Sequence, residues 1–507
     1  MKTFYITTAI DYANSTPHLG TAYEKIGADV IARYKRLQGF DVRFLMGNDE
    51  HSQNVRKKAE EEKLDPKTYC DQMAVKFRAA WKALHISNDD FIQTSEPRHH
   101  EMVRAPAKKI YDKGFIYKAP YEGHYCVSCE AFYQEKDLAD GMCPNHKTKP
   151  EWIREENYFF KLTAFAEPLK KLLHTKDFIR PESRRNELLG VLETGLQDVS
   201  ISRAGTTWGI KLPFDESAVA YVWFDALINY ISGLGSLDGV LFKKYWPADL
   251  HVIGKDITRF HGLIWPAMLI AAELPIPKAI WGHGFISFKG EKMSKSRGNV
   301  ADPMELVDMF GAEVLRYHVM REVPWDKDGD FSIERLQLRY NADLANDLGN
   351  LLSRTISMVT KYVGPTLAQP TIAHFAAVIE KIKATDKLYE NNMDNYDLSA
   401  ALDEMWKLVS YGNVLIGENQ PWTMAKDPAQ KEKLNELLYV VLEILRYSAL
   451  ALVPVMPEKM KEMLAALGTT LADGATFKSF PYVGEQKEFN LSLPGPIFPR
   501  LDLTTEP

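Results

Sequence analysis

The 507-residue chain is 45% hydrophobic and 26% charged, a composition that excludes a disordered or fibrous protein and leaves room for several folded domains. No uncharged apolar run is long enough to cross a bilayer and no signal-peptide pattern precedes the first strand pattern, so a cytoplasmic location without a membrane partner is expected. The formal net charge of −6 excludes a globally basic nucleic-acid binder, so any phosphate must be met by local basic faces.

Residues 4–10 read as a strand rich in β-branched and aromatic side chains. Asn14-Ser15-Thr16-Pro17 supplies capping side chains followed by proline, which predicts a helix start. Ile26, Val30, Tyr34 and Leu37 form the apolar stripe of that helix, which should stop at Gly39. Residues 42–46 form the next strand, and two strands joined through a helix make a parallel βαβ unit. From 116 to 217 turns dominate, and this stretch reads as an insertion. The sheet pattern resumes near 219–222 and continues at 250–254, a loop follows at 289–299, and strand-free periodic apolar patterns run from about 330 onward.

The expected fold is therefore α/β: a Rossmann-type parallel-sheet domain (1–115 and 218–290) split by an inserted connective domain (116–217). A loop and linking segment (291–340) then leads to an all-α helical bundle (341–507).

Three constellations carry chemistry. His18-Leu19-Gly20 sits where a strand gives way to a helix, and backbone N–H groups at a helix start attract anions. Alone it is weak, because a lone histidine is more often structural. Lys292-Met293-Ser294-Lys295-Ser296 places two lysines on a small-residue loop, suited to charge building on a departing pyrophosphate; a solvated basic loop is the alternative. Cys126-x2-Cys129 and Cys143-x2-His146 have the ligand types and spacing of one closed, structural zinc site, against the alternative of free buried cysteines.

In this order around a parallel sheet, the first two constellations resemble the paired signatures of class I aminoacyl-tRNA synthetases. The first departs from the family form because Thr21 stands where a second histidine is usual. Ala9-Ile10-Asp11-Tyr12-Ala13-Asn14, Tyr221-Val222-Trp223-Phe224-Asp225-Ala226 and the stretch from Ile253-Gly254-Lys255-Asp256-Ile257 through His261 to Trp265 resemble the methionyl-tRNA synthetase family.

The resemblance implies ATP with Mg2+ held by His18, Gly20, Asp256, Lys292 and Lys295, with Thr21 in the catalytic set. It implies a methionine pocket of Ile10, Tyr12, Trp223, Ala226, Leu227, Tyr230, Ile257, His261 and Trp265, with Asp49 facing the substrate ammonium. Trp223, Ala226, Leu227 and Tyr230 would share one face of a single helix, and Ile257, His261 and Trp265 one face of another. Asn346, Asn350 and Arg354, at steps of four, and Trp422 match positions expected to read the anticodon of tRNA(Met).

The insertion, about a hundred residues, leaves no room for the hydrolytic editing domain of relatives that handle branched aliphatic amino acids. No dimerising tRNA-binding domain follows the bundle, so a monomer is expected. Two other readings stay open: a class I synthetase for another amino acid such as cysteine, and a catalytically silent tRNA-binding relative, which Thr21 keeps alive.

Overall fold

The structure is a computed structural model that describes residues 2–126, 131–133, 135–144, 147–203, 207–288, 291–292, 302–492 and 495–502, without the side chains of 121, 131, 132, 136, 153, 291 and 292.

The main sheet is parallel, in the order Asp11–Tyr12, Asp41–Asp49, Thr3–Thr8, Leu250–Gly254, Ile280–His283 and Ile179–Arg180, with Asp90–Gln93 also paired to Asp41–Asp49. Thr3–Thr8 lies between Asp41–Asp49 and Leu250–Gly254, so connections leave its carboxyl end in opposite directions. A parallel sheet opens a crevice at such a switch point, and ligands bind there. The helix Leu19–Leu37 covers the sheet and is buried nearly all round. The stripe Ile26, Val30, Tyr34 and Leu37 is buried as its spacing predicts, and the helix ends before Gly39, whose φ is +86°.

Its start differs from expectation. The N-cap is His18 rather than Asn14, Ser15 or Thr16, because the imidazole accepts the Thr21 amide in a capping box. Ile179–Arg180 also differs, since it falls within the expected insertion yet pairs with Ile280–Trp281 in the main sheet. A two-residue strand carries too little pattern to be read from sequence.

The insertion is built on a long antiparallel pair, Ile116–Cys126 against Glu151–Phe160, with Ala131–Tyr133 added at the far end. Beyond the second half of the sheet, Ile286–Phe288 pairs parallel with Gly329–Phe331 and antiparallel with Glu291–Lys292.

The carboxyl-terminal half packs Asn350–Tyr362, Ala376–Asp394, Leu398–Asn419, Lys431–Leu452 and Pro457–Ala466 around one apolar core. It is not wholly helical, because Thr366–Ala368 and Glu488–Asn490 form a two-stranded sheet. Among the described residues no helix is long and apolar enough to cross a membrane.

Candidate active site

Several candidate residues follow the carboxyl ends of parallel strands, whereas Trp223, Ala226, Leu227 and Tyr230 follow the antiparallel strand Asp215–Ala220. Ile10 and Tyr12 follow Thr3–Thr8, Asp49 ends Asp41–Asp49, and Asp256 and Ile257 follow Leu250–Gly254. Glu291–Lys292 closes a hairpin with Ile286–Phe288, which in turn follows Ile280–His283. The parallel topology places Ile10, Tyr12, Asp49, Asp256 and Ile257 at one edge.

At the helix start, His18 Nδ1 accepts the Thr21 amide at 3.2 Å, while the Thr21 hydroxyl donates to the His18 carbonyl at 2.7 Å and accepts the His18 amide at 3.0 Å. Nδ1 is therefore the acceptor nitrogen, and the ring proton sits on Nε2. The arrangement presents a donor imidazole at the positive end of a helix, which suits a phosphate oxygen. The Thr21 hydroxyl is engaged in this cap.

Behind the cap lies a cluster the sequence did not reveal. Lys25 is buried, its ammonium 2.7 Å from Glu24, 3.0 Å from Asp11 and 3.0 Å from the Ala9 carbonyl. Glu24 also meets His283 Nε2 at 2.9 Å. The Glu24–His283 contact ties the second turn of the His18 helix to the strand that precedes the Lys292 hairpin, so the two segments are joined at one edge. Burial, outweighing the attraction of Lys25, pushes the Asp11 carboxyl up to about 6. The Lys292 side chain and residues 293–301, including Lys295, lie outside the described residues.

The candidate pocket residues form two groups of contacts. Tyr12 meets the edge of Trp223 at 6.4 Å between ring centroids, and Trp223 stacks on Phe260 at 3.8 Å. Ile10 lies over Gly47, where a Cβ would stand 2.9 Å from Ile10 Cγ2 and 2.2 Å from the Ile92 carbonyl; only glycine lets these approach. Tyr12 is in register with Asp49, which is buried.

In the second group the Tyr230 hydroxyl is 2.6 Å from His261 Nε2, and His261 Nδ1 is 3.0 Å from the Ile257 carbonyl. The carbonyl only accepts, so the His261 proton is on Nδ1 and Tyr230 donates to Nε2. Trp265 Nε1 donates to His251 Nε2 at 3.3 Å, and His251 Nδ1 faces Thr7 Oγ1 at 2.7 Å. Tyr230 stacks on His251 at 4.2 Å. Burial pushes His261 down to about 4 and His251 well below its ordinary range. Burial, with the charges of Glu24 and Asp49, holds Tyr230 well above its own range.

This end of the site is therefore uncharged at neutral pH, and its polar tips bond one another. An apolar side chain entering there leaves none of them unpaired, whereas a charged one would lose its hydration without compensation.

The predicted continuous helices are broken. Trp223 and Ala226 lie on Val222–Ala226, Leu227 lies between helices, and Tyr230 lies on Asn229–Ser232. A π-helix, Phe260–Ile264, separates Ile257 from Trp265. Leu227 and Trp265 are buried in the same apolar core cluster as Tyr230. Asp256 is exposed at the strand end.

In the helical half, Asn346, Asn350 and Arg354 are exposed along the π-to-α helix 340–362, and Trp422 is 40% exposed. Cys126 and Cys143 are buried and linked through Thr148, whose hydroxyl is 3.6 Å from Cys126 Sγ and whose carbonyl accepts the Cys143 amide at 2.8 Å. Cys129 and His146 lie outside the described residues.

Comparison with known proteins decides the family. The model for class I tRNA synthetases of the methionine type matches residues 4–150 and 133–356, and that for the anticodon binding domain of methionyl-tRNA ligase matches 368–479. The chain belongs to the methionyl-tRNA synthetases. A methionine–tRNA ligase of Caldanaerobacter subterraneus subsp. tengcongensis is 46% identical over 511 residues, covering 100% of this chain and 80% of the relative. One from Rickettsia conorii is 46% identical over 92% of this chain and 93% of its own. The Mycobacterium tuberculosis methionyl-tRNA synthetase in complex with methionyl-adenylate superposes with a TM-score of 0.94 at 39% identity, covering 99% of this chain and 100% of the other. As a methionyl-tRNA synthetase the chain is an α/β catalytic fold followed by a largely helical anticodon-type domain.

Proposed function

We propose that the chain activates methionine with ATP to methionyl-adenylate and transfers it to tRNA(Met) for initiation and elongation. The observation that carries this reading is the joining, through Glu24 and His283, of the capped His18 helix to the base of the Lys292 hairpin, at the same sheet edge as the uncharged aromatic pocket.

The methionine carboxylate attacks the α-phosphate in line and pyrophosphate leaves; the protein supplies position and charge rather than a covalent nucleophile. His18 Nε2 donates to the phosphates, with Lys295 and Lys292 closing from the other side and Gly20 leaving the backbone open to approach. Asp256 faces the ribose side. Mg2+ accompanies ATP and supplies phosphate charge neutralisation. Asp49 faces the substrate ammonium, Ile10, Tyr12 and Trp223 bound the side chain, and Tyr230 with His261 forms the floor. The terminal ribose hydroxyl of tRNA then attacks the adenylate carbonyl and AMP leaves.

Asn346, Asn350, Arg354 and Trp422 read the anticodon, an assignment supported by their common exposure. Cys126, Cys129, Cys143 and His146 hold one structural zinc, supported by the two buried cysteines bridged at Thr148. The chain acts as a cytoplasmic monomer, where its three substrates meet.

ATP–pyrophosphate exchange across amino acids tests the reading. Methionine should support exchange and cysteine should not; exchange with cysteine alone would transfer the chain to another specificity, and none at all would make it a silent tRNA binder. Lys295→Ala should lower the exchange rate by about 100-fold, the scale of one lost charge-stabilising group, with methionine affinity nearly unchanged. Equal loss in both would contradict its role.

A further inference from the structure

Between the strand end that carries Asp49 and the turn that carries Trp223 lies a buried carboxylate with no part in the chemistry above. Asp225 is 0% exposed on the five-residue helix Val222–Ala226. Its Oδ2 is 2.6 Å from His51 Nδ1 and its Oδ1 is 2.6 Å from His99 Nε2. Burial favours the protonated acid, but the charges and hydrogen bonds of the two histidines outweigh it and hold the carboxyl well below its ordinary range. An ionised carboxylate can only accept, so each imidazole donates to it.

The second nitrogen of His99, Nδ1, is 2.7 Å from Ser232 Oγ on the next helix, Asn229–Ser232, which also carries Tyr230. One carboxylate thus joins three elements: the segment after Asp41–Asp49 through His51, the helix Pro97–Asp112 through His99, and its own turn.

That turn is too short to hold itself. A helix of five residues does not repay its nucleation, and Val222–Ala226 has no side-chain cap. Trp223 is held by rings alone among the contacts described above, stacked on Phe260 and edge-on to Tyr12. Stacked rings constrain separation well and sliding poorly, whereas charge-assisted hydrogen bonds fix direction. His51 lies two residues beyond Asp49, and Asp225 lies two residues beyond Trp223.

We infer that Asp225 is a positioning residue for methionine binding: through His51 and His99 it sets the separation between the Trp223 wall and the Asp49 strand end. This rests on the functional reading proposed above and extends it to residues that do not touch substrate. The ATP side of the site has its own tie in Glu24 and His283 and does not depend on this clamp.

The test is steady-state ATP–pyrophosphate exchange on the full chain, with methionine and ATP varied separately. Wild-type protein comes first: absence of methionine-dependent exchange rejects the functional reading and this inference together. Given wild-type exchange, Asp225→Asn keeps the shape but offers one accepting oxygen in place of two. It should raise KM for methionine about tenfold, the scale of one weakened charge-assisted hydrogen bond, with KM for ATP within about twofold of wild type. An unchanged methionine KM, or equal rises in both constants as a general loosening would give, overturns the inference while leaving the functional reading intact. Should Asp225→Asn fail to fold, His99→Asn is read in the same way. It leaves the His51 bond in place and should raise the methionine constant about threefold, the smaller share of a paired contact; no rise overturns the inference.

Discussion

Thr21 shows how one residue can be legible in sequence while its hydrogen-bond partners are not. Its position beside His18 and Gly20 places it in the catalytic set that the family resemblance implies, without saying what its hydroxyl does. In the fold that hydroxyl donates to the His18 carbonyl and accepts the His18 amide, so it sets the imidazole rather than facing outward. Thr21→Ala should cost about 1 kcal/mol of unfolding free energy, the usual worth of a lost capping side chain, with a fall in exchange rate as the His18 ring loses its orientation. Thr21→Ser should restore both. Urea unfolding of the three proteins checks this; equal stability of the alanine and serine variants would count against it. His251 and Asp225 were missed for a different reason. Asp225 meets His51 and His99 across separations of 174 and 126 residues, and no spacing rule reaches that far.

At the scale of elements, long periodic segments were readable and short ones were not. The helix Leu19–Leu37 repeats its apolar stripe over several turns, which makes its buried face unambiguous. Trp223 to Tyr230 fits a helical face equally well on paper, yet the chain breaks between Ala226 and Asn229, where the Asn229 side chain donates to the Ala226 carbonyl at 2.7 Å. The local pattern permits one helix or two, and packing selects two.

The insertion's far end is an element whose stability the metal proposal addresses. The pair Ile116–Cys126 and Glu151–Phe160 has its own ladder, whereas among the described residues the segment around Cys143 is held by short-range turn bonds, with the Cys143 amide donating to Thr148 and that of Lys147 to Cys143. Cys143→Ser should therefore lower zinc content from one ion per chain to near none, and should expose residues near 140 to proteases while the main sheet stays resistant. Metal analysis with limited proteolysis checks this. Retained zinc in the variant would remove Cys143 from the ligand set.

For the whole molecule, the catalytic sheet and the helical half are joined through buried charge. Arg316 is fully buried, 2.7 Å from Asp29 on the His18 helix, and donates to the carbonyls of Val455 and Pro454 at 2.8 Å and of Leu84 at 3.1 Å. Burial raises the Asp29 carboxyl, but Arg33, Arg316 and Ser87 outweigh it and bring it down to about 2 from an ordinary 3.8. A depressed carboxylate stabilises the fold above its unfolded pKa and loses that contribution as pH falls toward the folded one. The Asp29 contribution, about 2 kcal/mol, should thus be present above about pH 4 and fade toward pH 2. Asp29→Asn should flatten this part of the acid profile and cost several kcal/mol (about 3–5) at neutral pH, because Arg316 is left buried without its partner. Unfolding free energies measured from pH 7 to pH 2 decide it; an unchanged acid slope would remove Asp29 from the account.

What the sequence determined by itself was local and periodic: the alternation of strand and helix, the order of the motifs at His18 and Lys292, the spacing of three cysteines and a histidine, and a largely helical second half. Those features lie in contiguous residues, where turn preference and apolar repeat act directly. Tertiary structure alone decided which tautomers the buried histidines take, which neighbours the Thr21 and Tyr230 hydroxyls bond, that Ile179–Arg180 returns to the main sheet, and that Asp225 and Arg316 bind distant elements. Such choices depend on which buried polar group finds a partner once water is removed, and that partner is fixed only when the whole chain has packed.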